Sequence, residues 1–158
     1  MNTIKKITKN EILKNLNLAR KAHITWVEKA QLLVHGVHPM SKNQLPLQAK
    51  NCSFGNWFSN TGQVLFYIMS EKLLKSIENK HEELHNSYLK IFKIYFNQKE
   101  NTLFILERPK TIDALSQIKA EKELRNLENI SEEFIALLDR IESNFTQLED
   151  KDLAHICH

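Results

Sequence analysis

Three long stretches of this chain repeat apolar residues at alternating steps of three and four, and that rhythm leaves few folds open. The first stretch, expected to be helical from about Lys9 to Val34, carries Ile12, Leu16, Ala19, His23, Trp26, Ala30 and Leu33, and the series runs on to Val37. The second carries Leu74, Ile77, His81, Leu84, Tyr88, Ile91 and Tyr95, inside a helical stretch expected from about Gln63 to Asn97. The third carries Leu127, Ile130, Phe134, Leu137, Ile141 and Phe145, in a region reaching from Thr111 to about Leu148. A helix turns every 3.6 residues, so each series is a buried stripe along one helix. Sheets need many tight turns, and three glycines with three prolines supply too few. The expected fold is all-α, an up-and-down four-helix bundle.

The texture changes between residues 36 and 62, where Gly36, Gly55, Gly62, Pro39 and Pro46 all fall. Connections this long inside compact domains tend to carry function. A short element, Asn51 to Ser59, lies within it and puts a Cys-bearing helix between the first and second long helices. Ser131-Glu132-Glu133 resembles a helix start, so the last region is expected to bend there into two helices. A length of 158 residues suits one domain. The reading is a bundle over residues 1–148 and a polar, flexible tail over 149–158.

Composition removes several classes of function. The 22 basic and 19 acidic side chains are interleaved and give a net charge of +3. The densest basic run, Lys5, Lys6, Lys9, Lys14, Arg20 and Lys21, lacks the interleaved aromatics of a nucleic-acid surface. No stretch approaches the ~18 apolar residues of a membrane span. No apolar segment follows the lysines of Met1 to Asn10, so a secretory signal is not expected. The chain therefore reads as cytoplasmic, free of nucleic acid and membrane. Cys52 and Cys157 are too few for a disulfide framework, and cytoplasmic thiols stay reduced and able to bind metal.

His23, His81 and His85 stand on the buried stripes. Three imidazoles buried without partners would cost about 1–3 kcal/mol each, so one agent must satisfy them together. His81 and His85 are one turn apart on one helix face. Antiparallel bundle helices bring stripe positions face to face, which lets His23 meet them from the first helix. A closed tetrahedral site needs a fourth donor, and zinc favours nitrogen and sulfur. Cys52 supplies it, at the start of Cys52-Ser53-Phe54-Gly55-Asn56-Trp57-Phe58, whose aromatics can plug into the core. His35 and His38 flank Gly36 and read as surface residues. His155, Cys157 and His158 form a tail cluster with no core to position it.

These residues resemble the chemoreceptor zinc-binding domain. The resemblance rests on Ala22-His23-Ile24-Thr25-Trp26, on Cys52-x-Phe54-Gly55-x-Trp57 and on His81-x-x-x-His85, and it covers about residues 8 to 147. It implies that His23, Cys52, His81 and His85 coordinate zinc in a helical bundle, often homodimeric. Such domains usually adjoin an output unit, such as a chemoreceptor signalling helix or a diguanylate cyclase. No output domain fits in 158 residues, so the expected role is a stand-alone, non-enzymatic zinc sensor acting on a signalling partner in trans. Leu13, Val27, Val34, Leu89, Phe92 and Leu138 exceed what single stripes require, and the expectation is that a second copy covers them. Zinc-bound Cys52 is expected to be the point at which oxidants release the metal, by swinging out on its Gly-flanked segment.

Three other readings compete. His81-Glu82-Glu83-Leu84-His85 satisfies the His-Glu-x-x-His pattern of zinc metalloproteases, with Glu82 as general base and Glu100 or Glu107 as a further ligand. Against it, His23 and Cys52 would close the coordination sphere. A di-iron oxygen carrier would need bridging carboxylates and has no use for Cys52. A zinc buffer or zinc-stabilised adaptor would use the same four residues without switching.

Overall fold

The computed structural model describes residues 8–37, 48–60, 65, 67, 69–96 and 111–148. Among these residues every regular element is helical. The elements are α1 (Lys9–Val34), a 3₁₀ turn (Ala49–Asn51), α2 (Ser53–Asn60), α3 (Glu71–Tyr95) and α4 (Ala114–Thr146). This is the all-α bundle with a short Cys-bearing helix inserted between long ones.

Local chemistry sets the helix ends. The Thr8 hydroxyl accepts the Glu11 N–H at 3.2 Å, and the Glu11 carboxylate accepts the Thr8 N–H at 2.9 Å, a reciprocal capping box. At the other end Gly36 takes φ +70°. The Val37 and Gly36 N–H groups then turn back onto the carbonyls of Leu32 and Leu33. Val37 thus leaves the stripe it was expected to extend and stands 62 % exposed. α3 begins later than Gln63, because the Ser70 hydroxyl caps it by accepting the Leu73 N–H; its expected end at Asn97 and the break up to Pro109 lie outside the described residues.

α4 corrects two expectations. It runs unbroken through Ser131, capped instead by the Asp113 carboxylate on the Ser116 N–H at 2.6 Å. Ser131 is buried in mid-helix, while Glu133 reaches out to Lys80. Its stripe also passes through Leu138 rather than Leu137: Phe134, Leu138, Ile141 and Phe145 are all fully buried.

Contacts between helix ends give the topology. Lys9 Nζ donates to the carbonyls of Thr146 and Leu148, and Gln117 Nε2 donates to the carbonyl of Val34, so α1 and α4 are antiparallel. Asn144 meets Met69 before α3 begins, and the Tyr95 hydroxyl meets Gln117 at its end, so α3 and α4 are antiparallel too. It follows that α1 and α3 run parallel, not antiparallel. α4 packs along both of them, whereas they meet one another only briefly. α2 packs against α1 and the 3₁₀ turn, and its Phe54 reaches His81 of α3 and Phe134 of α4. Leu16, Leu74, Ile77, Leu84, Tyr88, Leu127 and Phe134 form the centre of the core.

Candidate metal centre

His23 projects from the middle of α1. Its Nδ1–H donates to the carbonyl of Ala19, one turn back, at 2.7 Å. That bond leaves Nε2 as the free lone pair, the tautomer a metal requires. His81 and His85 project from α3, one turn apart. Cys52 closes the 3₁₀ turn and opens α2. Its carbonyl accepts the Asn56 N–H at 2.9 Å, and its Sγ accepts the Gly55 N–H at 3.2 Å. Cys52 therefore sits as an N-cap, with sulfur where a serine or aspartate oxygen usually stands, at the end of the helix that favours negative charge.

The four side chains converge on one point. His81 Nε2 lies 3.1 Å from His23 Nε2, 3.2 Å from His85 Nε2 and 3.2 Å from Cys52 Sγ. All four donor atoms fall within 4.8 Å of one another. Hydrogen bonding does not account for this. One ring nitrogen carries one proton or one lone pair, and His81 Nε2 faces three partners. Zinc–nitrogen bonds of about 2.0–2.1 Å at tetrahedral angles would set ligand nitrogens about 3.3 Å apart, close to the spacing here. The donor set and geometry fit that ion.

Burial tunes each donor. His23 is 1 %, His85 2 %, Cys52 3 % and His81 4 % exposed. Desolvation holds His23 below the ordinary imidazole range, partly countered by its bond to Ala19. His81 falls to about 2, through burial first and then repulsion from His23 and His85. Neutral imidazoles are the ligating form. Burial pushes the Cys52 thiol up, and the N–H groups of Gly55 and Phe54 pull it part of the way back. A dication is the partner that would make it a thiolate.

Aromatic rings wall the cluster. Trp26 lies against His85 at 4.6 Å between ring centroids, Phe54 against His81 at 4.9 Å, and Phe134 of α4 stacks on His81 at 5.4 Å and meets His23 at 4.8 Å. Gly55 is required by space, not by flexibility. A Cβ there would stand 2.0 Å from the carbonyl oxygen of Ala49 and 3.2 Å from the His81 ring. The 3₁₀ turn is thus packed tightly onto the start of α2, with the His81 ring close by.

The cluster leaves other sequence candidates aside. Glu82 is exposed and takes no place in the four-donor group. His35 caps the end of α1 at the surface. His38, Glu100, Glu107, His155, Cys157 and His158 lie outside the described residues. Sequence reasoning gave no role to the Ala19 carbonyl, to Phe134 as a wall, or to the missing Cβ of Gly55. The four-residue step from Ala19 to His23 was a signal for the first, but contacts across helices leave none.

Of the extra apolar residues, Val34, Phe92 and Leu138 are buried within the chain, and Leu13 and Val27 pack partly against its core. Leu89 is half-buried on α3.

Residues 23–92 match the family model of the chemoreceptor zinc-binding domain. No curated protein and no solved structure matches the chain.

Proposed function

We propose that this chain, whose residues 23–92 match the chemoreceptor zinc-binding family model, is a zinc-responsive regulatory protein in which His23, Cys52, His81 and His85 hold one zinc ion. The observation that carries the reading is the convergence of four buried donors from three segments within 4.8 Å. Zinc would pull three neutral imidazoles and a thiolate into one closed sphere. It would thereby tie α1, α2 and α3 together at mid-height. Loss of zinc would restore the thiol and leave α2 held by its aromatic contacts alone. A ligand that favours one of two arrangements in this way can act as a switch.

The output would be read by a signalling partner in trans, in the cytoplasm. A homodimer would supply the surface: Leu18, Ile24 and Leu32 of α1 are exposed at 53 %, 42 % and 38 %. Sedimentation at tens of micromolar would give twice the 18.5 kDa chain mass for a dimer and the single chain mass if the idea is wrong.

Elemental analysis of the purified chain tests the main reading. One zinc per chain is expected, and its loss in His81→Ala. An unchanged zinc content in that variant would remove the ligand assignment. A metalloprotease reading has less support, since four protein donors leave no open position for a hydrolytic water.

A further inference from the structure

An open groove of about 590 Å³ lies between α1 and α2. Its lining on α1 extends from Asn15 to Lys29, a length of about 21 Å at the helical rise. Leu18 and Trp26 belong to the α1 wall, Phe54 and Trp57 to the α2 wall. Leu18 is 53 % exposed and Trp57 is half-buried, so apolar surface stands open in a concave site. Lys21 and Lys29, about two turns apart on α1, complete the lining. Neither lysine has an ion-pair partner among the described residues, and no carboxylate is among the described lining residues.

We propose, on the zinc-binding reading, that this groove is where the zinc state is read, and that its occupant is an amphipathic helix of a partner protein with acidic residues beside its apolar stripe. Two of the four donors set the groove's shape. His23 belongs to the α1 wall and Cys52 to the α2 wall. An ion bonded to both ties one wall to the other and fixes the width between them. Without the ion, the α2 wall is free to shift and the groove loses its fit.

The form of the groove selects the occupant. It follows a helix axis for several turns, which suits a helix that lays apolar side chains along it. Two lysines without acidic partners, set about 12 Å apart, match carboxylates two turns apart on that helix. Such charges contribute orientation and choice of partner more than affinity. A bilayer is flat and cannot enter the groove, which sets an acidic helix ahead of an anionic membrane.

Binding of model peptides to the zinc-loaded full chain tests this. The probe is an 18-residue helical peptide with leucines along one stripe and glutamates on both flanks; a second peptide has lysines in place of the glutamates. Both tryptophans of the chain line the groove, so intrinsic fluorescence reports occupancy when the peptides carry none. The glutamate peptide is expected to bind at least about tenfold more tightly than the lysine peptide, and added salt should narrow the difference. K21E/K29E should reverse the order while keeping its zinc. Chelation should weaken the glutamate peptide at least about fivefold, the low end of coupling between two sites. Equal binding of the two peptides, an unchanged order in K21E/K29E, or equal affinity with and without zinc would overturn the proposal. So would binding to phosphatidylserine vesicles in preference to the peptide, or a dimer of the chain that shuts the peptide out, since each names a different occupant. A chain that takes up no zinc would instead strike down the zinc-binding reading itself.

Discussion

α4 and α2 both lie against the histidine-bearing helices, and they hold on by opposite means. α4 spans 33 residues and contributes none of the four donors, burying Leu124, Leu127, Phe134, Leu138, Ile141 and Phe145. α2 spans eight residues, buries Phe54, Gly55 and Phe58, and its cap, Cys52, touches the imidazoles. An isolated helix of eight residues is unstable in water, so α2 depends on what it docks against. α4 has an apolar stripe that no metal needs to complete. The bundle therefore separates a permanent scaffold from a conditional element, and the four-donor cluster lies on the boundary between them.

The largest expected effect falls on the scaffold. Phe134→Ala should cost about 3–5 kcal/mol of stability, since the ring is fully buried and its loss leaves a cavity. For a domain of this size that lowers Tm by roughly 10 °C. The loss should be similar with and without a chelator, measured by thermal unfolding. A loss that vanished on chelation would make Phe134 part of the conditional element.

Next come the proposed ligands. His81→Ala or His85→Ala should weaken zinc binding by more than about 100-fold, beyond what removing a supporting contact does. Helicity by circular dichroism should stay near wild type, because α4 keeps its own seams. Competition against a calibrated chelator reads the first quantity. Collapse of helicity would show that scaffold and switch are one unit.

Removing zinc from the intact chain should have a smaller, local effect. Amide hydrogen exchange over Ser53–Asn60 should rise by at least about tenfold, with the Leu127–Leu138 stretch of α4 unchanged. Equal loosening of both would erase the distinction.

Gly55→Ala adds one methyl group where the Ala49 carbonyl already sits. Overpacking of this kind costs about 1–3 kcal/mol. It should appear as zinc binding weakened about tenfold, since 1.4 kcal/mol is one decade. Unchanged affinity would mean that the 3₁₀ turn yields freely.

The smallest effect is expected at Arg20, which joins α1 to Asp139 and Glu142 of α4. The pairs are partly solvent-exposed, so Arg20→Ala should cost only about 0.2–1 kcal/mol and leave zinc affinity alone. A larger loss in urea unfolding would show that α4 relies on charge as well as on its stripe.

The sequence made the scaffold readable where structure is local. The stripe of α1 and its bounds could be read because the Thr8–Glu11 capping box and Gly36 lie within a turn of each end. Ser131 misled because a serine before two glutamates looks like a cap when its burial against other helices is unknown. Leu137 was preferred to Leu138 for a similar reason: adjacent leucines are separated only by what they face. Three imidazoles on apolar stripes were a conspicuous cost, and that drew attention to the residues the fold brings together. The parallel run of α1 and α3, the Phe134 wall and the contact of Gly55 with the His81 ring depend on neighbours distant in the chain.

The parallel run of α1 and α3 has a mechanical consequence. Apolar stripes resist being pulled apart but tolerate small displacements along the helix axis. Each residue of slip between α1 and α3 would carry His23 about 1.5 Å past His81, against a nitrogen spacing of 3.1 Å. A metal bond cannot stretch that far. An ion held by both helices at mid-height would work as a shear pin, fixing the height of one helix against the other, and its withdrawal would leave that height to be set through α4 alone.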